Sequence, residues 1–236
     1  MTLTKFIGYC VGGGIALIGL AAPSSAQTFS GNSSGTFGTP DPGSNDDPVF
    51  SGVGTNTFTF GDTGNSRRNP NRYSFAGNSF STTLDSLFQV GNFTYFNGST
   101  IVGTTIDSVP LNVSLGFTNP GGVNEVFRFD LQNNSTPNTG TPEQNADFVF
   151  LISSIGAQTF TVGTTNYTFA LNGFSRDGGV TTVKEFRVLE GENTTAGVFG
   201  KITAAPVPEP TSMLGILAFS ALGGGSLLKR IRQQMN

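Results

Sequence analysis

The 236-residue sequence contains no histidine, no tryptophan and a single cysteine, Cys10. Without histidine there is no Ser-His-Asp or Cys-His arrangement and no imidazole general base. A zinc site built on histidines or on several cysteines is excluded with them. Cys10 lies in a segment expected to be removed, so the mature domain has no thiol and no intrachain disulfide. Its stability must come from packing. Charge is scarce as well, with only 11% of residues Asp, Glu, Lys or Arg. Between Gln27 and Ala205 eight cations stand against fourteen carboxylates, a net of −6. A mildly acidic domain with no Lys/Arg stripe argues against nucleic acid as a partner, because displacing phosphate counterions needs clustered positive charge.

What is abundant is glycine (33), proline (12) and phenylalanine (22). Gly and Pro follow no collagen period, and Phe supplies apolar mass for a core. Residues 27–205 are long enough for one domain that buries roughly 70% of its unfolded surface.

The two ends have a different character. Lys5 precedes an apolar run from Phe6 to Ala22, and Ser24 and Ala26 occupy the small-residue positions of a secretory cleavage site. This order predicts a signal peptide over 1–26, cut by signal peptidase after Ala26; the alternative is an uncleaved anchor. At the other end Pro206-Val207-Pro208-Glu209-Pro210 leads into apolar residues Met213 to Leu228, then Lys229-Arg230-Ile231-Arg232. Sixteen helical residues reach about 24 Å, slightly short of a ~30 Å hydrocarbon core. The cations after them favour a cytoplasmic end, which leaves the domain outside, as a signal peptide requires. The prolines cannot enter a helix interior and hold an extended segment before the span. A transmembrane helix is expected over about 211–228.

This tail resembles the PEP-CTERM sorting signal of bacterial surface proteins. The resemblance is carried by Val207, Pro208, Glu209 and Pro210, the short Gly/Ala/Leu helix, and the cluster Lys229, Arg230 and Arg232, over about the last thirty residues. It implies recognition by an exosortase, a membrane-embedded transpeptidase-like enzyme, and release or transfer to the envelope or matrix. It also implies an exopolysaccharide context. The competing reading is a plain membrane anchor on a Pro-rich stalk.

The middle is read from its periodicity. Residues 28–52 are rich in Gly, Ser, Asn, Asp and Pro and predict loop, with at most a short strand at Thr36-Phe37. From Asn56 onward apolar and polar residues alternate: Phe58 and Phe60, Phe93 and Tyr95, Leu111 to Phe117, Phe127 to Leu131. Further runs follow at Phe148 to Ile152, Phe160 to Val162, Tyr167 to Phe169, Phe186 to Val188 and Val198 to Ile202. Alternation of this kind means strands with one face on a core and one in water. Asn97-Gly98 and Asn172-Gly173 predict tight hairpins, and Asn119-Pro120-Gly121-Gly122 and Asp177-Gly178-Gly179 predict further turns. About nine or ten short strands without any sustained helical period point to an all-β, antiparallel β-sandwich, jelly-roll-like.

The domain is also similar to the choice-of-anchor K family. The stretches that carry this are Ser51 to Phe58 and Leu87 to Gly98, with Pro137-Asn138-Thr139 and Ala146-Asp147-Phe148. The similarity spans about Phe29 to Thr203 and implies no catalytic residues, so no site residue carries over from it.

Chemistry in the domain must therefore be sought among carboxylates, hydroxyls and amines. A glycosidase would need two facing carboxylates; Asp85, Asp107, Glu125, Asp130, Asp147 and Glu185 are available, and the sequence pairs none of them. A Ser-Lys pair would draw on Lys184 or Lys201, read as surface residues of strands. Calcium is the one metal considered: Asp41, Asn45, Asp46 and Asp47 share one loop, and Asp62 and Asn65 another, although no full calcium-loop pattern is present. No other cofactor is expected. Arg67-Arg68-Asn69-Pro70-Asn71-Arg72 is the only basic cluster in the domain and reads as an exposed loop that could also meet acidic polysaccharide. Triplets such as Asn92-Phe93-Thr94 match glycosylation acceptors by composition. The leading expectation is a non-catalytic, exported, membrane-tethered protein of the cell surface or matrix, structural or adhesive. The rivals are a carbohydrate-binding module, with Tyr73, Tyr95 or Tyr167 exposed on one face, and a glycoside hydrolase.

Overall fold

The computed structural model describes residues 27–152 and 158–205. Ser24 and Ala26, the sorting residues from Val207 to Arg232 and the apolar stretch 211–228 lie outside the described residues. No helix among the described residues is long and apolar enough to cross a membrane.

Thirteen strands among the described residues form two antiparallel sheets. One has six strands in the order β12 (Glu185–Val188), β9 (Asp147–Leu151), β8 (Val123–Asn134), β7 (Ser108–Asn119), β1 (Thr28–Phe37) and β5 (Ser79–Thr83). The other has seven, in the order β10 (Gln158–Val162), β11 (Thr165–Ser175), β13 (Asn193–Ala204), β6 (Leu87–Phe96), β4 (Asn71–Gly77), β3 (Thr57–Phe60) and β2 (Phe50–Ser51). The nine runs read from the sequence all fall on strands, with Ile152 just past the end of β9. The expected count was low because β1, β2, β4 and β5 carry weaker patterns.

Aromatic rings fill the space between the sheets. Phe29 on β1 lies edge-on to Tyr167 on β11 at 5.0 Å, Phe127 on β8 meets Phe169 on β11 at 4.8 Å, and Phe80 on β5 meets Phe88 on β6 at 5.0 Å. Each buried Phe contributes about 1.5–3 kcal/mol of burial, and each well-placed ring pair about 0.5–1.5 kcal/mol more. The inner rings thus supply what disulfides would otherwise supply.

Three expectations are corrected here. Residues 28–37 are not loop but a ten-residue central strand, β1, hydrogen-bonded to both β5 and β7. Its inward positions are Phe29, Gly31, Ser33, Gly35 and Phe37, with the Ser33 hydroxyl donating to the Val90 carbonyl of the facing sheet, so the period of two survives with glycine and serine in place of large side chains. The ring of Phe75 occupies the space at Gly35, where a Cβ would lie 2.5 Å from it. Asn97-Gly98 is not a tight hairpin: the buried Asn97 side chain donates to the Val188 carbonyl at 3.0 Å, and the Gly98 N–H donates to Asn71 Oδ1 at 2.8 Å. The chain then leaves for the other sheet. Asn172-Gly173 lies inside β11 at a register shift against β13. Glycine is required at 173 because the Val183 carbonyl approaches to 2.4 Å of where a Cβ would stand. Asn119 to Gly122, by contrast, does turn β7 into β8.

Candidate functional site

The domain's two ends are unlike. At one, β1 begins and β13 finishes: Phe29 packs on Tyr167, and Tyr167 pairs with Ala204. At the other, β8 ends at Asn134, β11 ends at Ser175 and β13 begins at Asn193. A cleft of about 550 Å³ opens at this second end, between β12 of one sheet and β11 and β13 of the other.

Its floor is apolar, formed by Phe174 and Phe186, whose rings lie 5.3 Å apart. Its rim is charged: Arg176, Arg187, Glu143, Glu185 and Glu192 are all exposed. Alternation places these side chains, since Phe186 and Val188 of β12 point inward while Glu185 and Arg187 point out. The Arg176 guanidinium stacks over the Phe186 ring at 5.0 Å and donates to the Arg187 carbonyl at 3.2 Å. Arg187 lies over the Phe148 ring at 5.7 Å and donates to the Glu143 carbonyl. Among the described residues neither arginine has a carboxylate within ion-pair distance, and the one ion pair is Arg128 with Asp130, at 3.3 Å. The guanidiniums are held by rings and main-chain carbonyls, which leaves other N–H groups open to a ligand.

One wall of the cleft is the segment 176–184, which folds back on β11 through paired backbone bonds between Phe174 and Val183 of 2.8 and 2.9 Å. Asp177 organises it. Its carboxylate accepts from the Ser175 hydroxyl at 2.6 Å, the Thr181 amide at 3.0 Å and the Thr181 hydroxyl. These hydrogen bonds hold the carboxyl well below the usual carboxylate range.

Behind the cleft a polar cluster is buried between the sheets. Asp147 accepts from the Thr136 amide at 2.7 Å and from the Tyr95 hydroxyl at 3.3 Å. Burial raises its pKa to about 6, with Glu190 adding to the rise and the Thr136 bonds opposing it. Burial also raises Glu190, and it raises the phenols of Tyr73 and Tyr95 well above their ordinary value. Asn97 Oδ1 and Glu190 Oε1 are buried without a hydrogen-bond partner among the described residues.

The three tyrosines expected on a binding face belong to the core. Tyr73 and Tyr95 are 0% exposed and Tyr167 is 7% exposed. Each shares the parity of an inward Phe, at 75, 93 and 169, so the alternation that predicts their strands also buries them. Among the described residues the aromatics that stay partly exposed are Phe50 on β2, at 40%, Phe96 on β6, and Phe148 and Phe150 on β9; the last two stand inside a continuous apolar run whose outer face the sequence does not mark.

The carboxylates considered for hydrolysis are distributed over separate elements. Asp85 sits in the turn after β5, Asp107 precedes β7, Glu125 and Asp130 lie on β8, Asp147 is interior, and Glu185 alone lines the cleft. Among the calcium candidates, Asp41 and Asp62 each accept a backbone amide two residues on, from Gly43 and Gly64, both at 2.9 Å. Asn45 Oδ1 accepts the Thr105 hydroxyl at 3.0 Å. Asp46 and Asp47 follow in the same loop, and the Asp47 N–H donates to the Gly103 carbonyl at 3.1 Å. No group of three or more acidic, His or Cys residues able to hold a metal ion occurs among the described residues.

Lys184 lies in the loop before β12, not in a strand, and its ammonium donates to the Leu171 carbonyl at 3.0 Å; partial burial lowers its pKa. Lys201 is on β13. Of the basic cluster, Arg67 and Arg68 follow a turn capped by Asn65, and Arg72 lies over Phe96 at 5.8 Å. Arg176, Arg187, Phe148 and Phe150 were not singled out by sequence. The alternation Glu185-Phe186-Arg187-Val188 is the signal that would have found two of the cleft's charged groups. Compared with known proteins, the chain matches no family model and no curated protein.

Proposed function

We propose that this chain is an exported, membrane-tethered protein of the cell surface or extracellular matrix. In this reading signal peptidase removes residues 1–26, the apolar segment 211–228 tethers the domain, and an exosortase-type enzyme acts at Val207 to Pro210. The β domain, a jelly-roll-like sandwich, is non-catalytic and serves structure or adhesion among exopolysaccharide. The observation that carries this is the agreement of the two ends: a cleavable export signal, and a Pro-Glu-Pro boundary before an apolar run closed by Lys229, Arg230 and Arg232.

The domain's geometry supports it. Ala204 closes β13 at the end from which the tail departs, whereas the cleft lies where β13 begins at Asn193. At ~3.3 Å per residue, the 12-residue strand separates its cleft end at Asn193 from Ala204 by about 36 Å. The outward faces carry neutral hydroxyl and amide ladders, such as Thr94 with Thr195 at 2.7 Å and Thr161 with Asn166 at 2.8 Å. Neutral hydrogen-bonding surfaces suit a hydrated glycan matrix. Hydrolysis has less support: a general acid needs a desolvated carboxyl, and the buried Asp147 faces Tyr95 and Thr136, while the cleft's carboxylates are exposed.

The deciding experiment is fractionation of native-host cells that make the full chain with an internal tag, with both mature termini mapped by mass spectrometry. The expected result is a start at Gln27, an end near Pro208 to Pro210, and protein in the outer envelope or medium. An intact C-terminus in the inner membrane would make the tail a simple anchor and refute sorting.

A further inference from the structure

The register of β8, β9 and β12 builds a small, regular patch on the outer face of the six-stranded sheet. Asn134 pairs with Phe148, and Phe148 with Arg187; Gln132 pairs with Phe150, and Phe150 with Glu185. Paired residues of antiparallel strands project to the same side. The patch is therefore two rows of amide, ring and charge. The rings of Phe148 and Phe150 lie near-parallel, 20° apart with centroids at 6.1 Å, and both are half-buried while the four polar residues are exposed. From strand geometry the patch is about 10 Å across three strands and about 7 Å along them. Both flanks are concave. A hollow of about 430 Å³ beside Gln132, Asn134 and Phe150 reaches Asp107, and on the other side Arg187 and Glu185 descend into the cleft.

We infer that this patch is a binding platform for a neutral, hydroxyl-rich polysaccharide, with the cleft as its continuation. The inference rests on the surface-protein reading above and names the ligand class for it. A sugar ring offers an apolar C–H face and a rim of hydroxyls that both donate and accept. The two rings supply the apolar centre. Asn134 and Gln132 supply amides able to donate and accept, Arg187 supplies donors only, and Glu185 acceptors only. Every polar type that a row of hydroxyls needs is present around one apolar strip.

Charge selects against the alternatives. Arg187 and Glu185 cancel, Arg176 offsets one of the surrounding Glu143, Glu192 and Asp107, and the neighbourhood stays acidic. A polyuronate or a nucleic acid would be repelled. The patch is also far below the ~800 Å² per partner of a stable protein interface. It stands at the end of the domain away from the tether, where a long polymer can pass.

The test is affinity electrophoresis of the full-length protein in detergent, through gels containing dextran, galactomannan or polygalacturonate. Wild type is expected to be retarded by at least one neutral polymer and not by polygalacturonate. F148S/F150S removes the rings, and Q132L/N134L removes the amides without touching the inner core. Each is expected to weaken retention about tenfold or more, the effect of one or two lost contacts of this kind; Q132L/N134L should do so at an unchanged melting temperature, and F148S/F150S, which also gives up half-buried ring area, while still unfolding cooperatively above the temperature of the gel. Val126→Ser, an exposed outward residue of β8 elsewhere on the sheet, is expected to change nothing. Retention by no neutral polymer, preference for polygalacturonate, or retention unaltered in both double variants would overturn the platform. These failures are separable from failure of the export reading, which cell fractionation decides: surface protein without retention refutes only the platform, and retention by a protein found inside the cell refutes only the location.

Discussion

The Tyr73 hydroxyl on β4 donates a 2.8 Å hydrogen bond to Asn133 Oδ1 on β8, joining the two sheets through the core. Asn133 is in turn fixed from its amide side, which donates to the Ile106 carbonyl at 3.1 Å and to the Ser135 hydroxyl at 2.9 Å. Tyr73→Phe keeps the ring and its packing but strips the buried Oδ1 of its donor. The expected loss is about 1–3 kcal/mol of stability, the desolvation cost of an orphaned acceptor. A urea titration of wild type and variant measures it, and a change below about 0.5 kcal/mol would mean that the bond links the sheets without stabilising them.

Asp147 gives stability a pH dependence of unusual sign for a carboxylate. Its folded pKa of about 6 lies above its ordinary value of 3.8, because burial disfavours the charge. Between those values the folded state holds a proton that the unfolded state has released. Stability attributable to this group is therefore full below pH 3.8, declines as pH rises, and is lost above 6. Two units amount to about 2–3 kcal/mol at most. Glu190, also raised by burial, acts in the same direction. Asp147→Asn can keep its oxygen on Thr136, and the difference between variant and wild type should tilt toward the variant from pH 4 to 6.5. Parallel melting curves across that range would show that Asp147 is not the group responsible.

The sequence shows the class of fold wherever the inward residues are large. Phe58 and Phe60, or Leu111 through Phe117, declare both strand and core face. β1 is concealed because its inward positions at Gly31 and Gly35 carry no side chain, the space being filled by neighbouring backbone and by Phe75. Asn-Gly pairs misled for a related reason: at 97–98 and 172–173 they serve long-range contacts with Val188, Asn71 and Val183, which short-range turn chemistry does not show. The outer patch was invisible because it depends on the register of three strands, in which Asn134, Phe148 and Arg187 are remote in sequence.

The wall of the cleft depends on one exposed carboxylate. Asp177 gathers the Ser175 and Thr181 hydroxyls and the Thr181 amide. Asp177→Ala should release the segment 176–184 while β11 and β12 remain paired in their sheets. Trypsin cleavage after Arg176 and Lys184 reports this directly, and the variant is expected to be cut several-fold faster at unchanged melting temperature. Equal cleavage rates would show that the Phe174–Val183 pairing alone holds the wall.

Glycine at position 31 is a condition for the six-stranded sheet. A Cβ there would stand 2.1 Å from the Gly116 carbonyl oxygen on β7, beside the register shift between Ser30 and Gly31. The three nearest atoms are all β7 backbone, at Gly116 and Phe117, so no flexible side chain can move away. Gly31→Ala should therefore cost at least about 1–3 kcal/mol, the penalty of overpacking a filled site. Gly121→Ala is the matched control, in the turn between β7 and β8 with nothing nearer than the Thr118 carbonyl at 3.5 Å, and it should remain within about 0.5 kcal/mol of wild type. Chemical denaturation of the pair separates the two causes of a glycine: a large loss at 31 with none at 121 assigns the effect to the close approach of β1 and β7. Equal losses would mean that the close approach at 31 is not the cause, since the backbone-entropy effect of Gly→Ala is stabilising, and the packing of β1 against β7 would then be looser than the 2.1 Å approach requires.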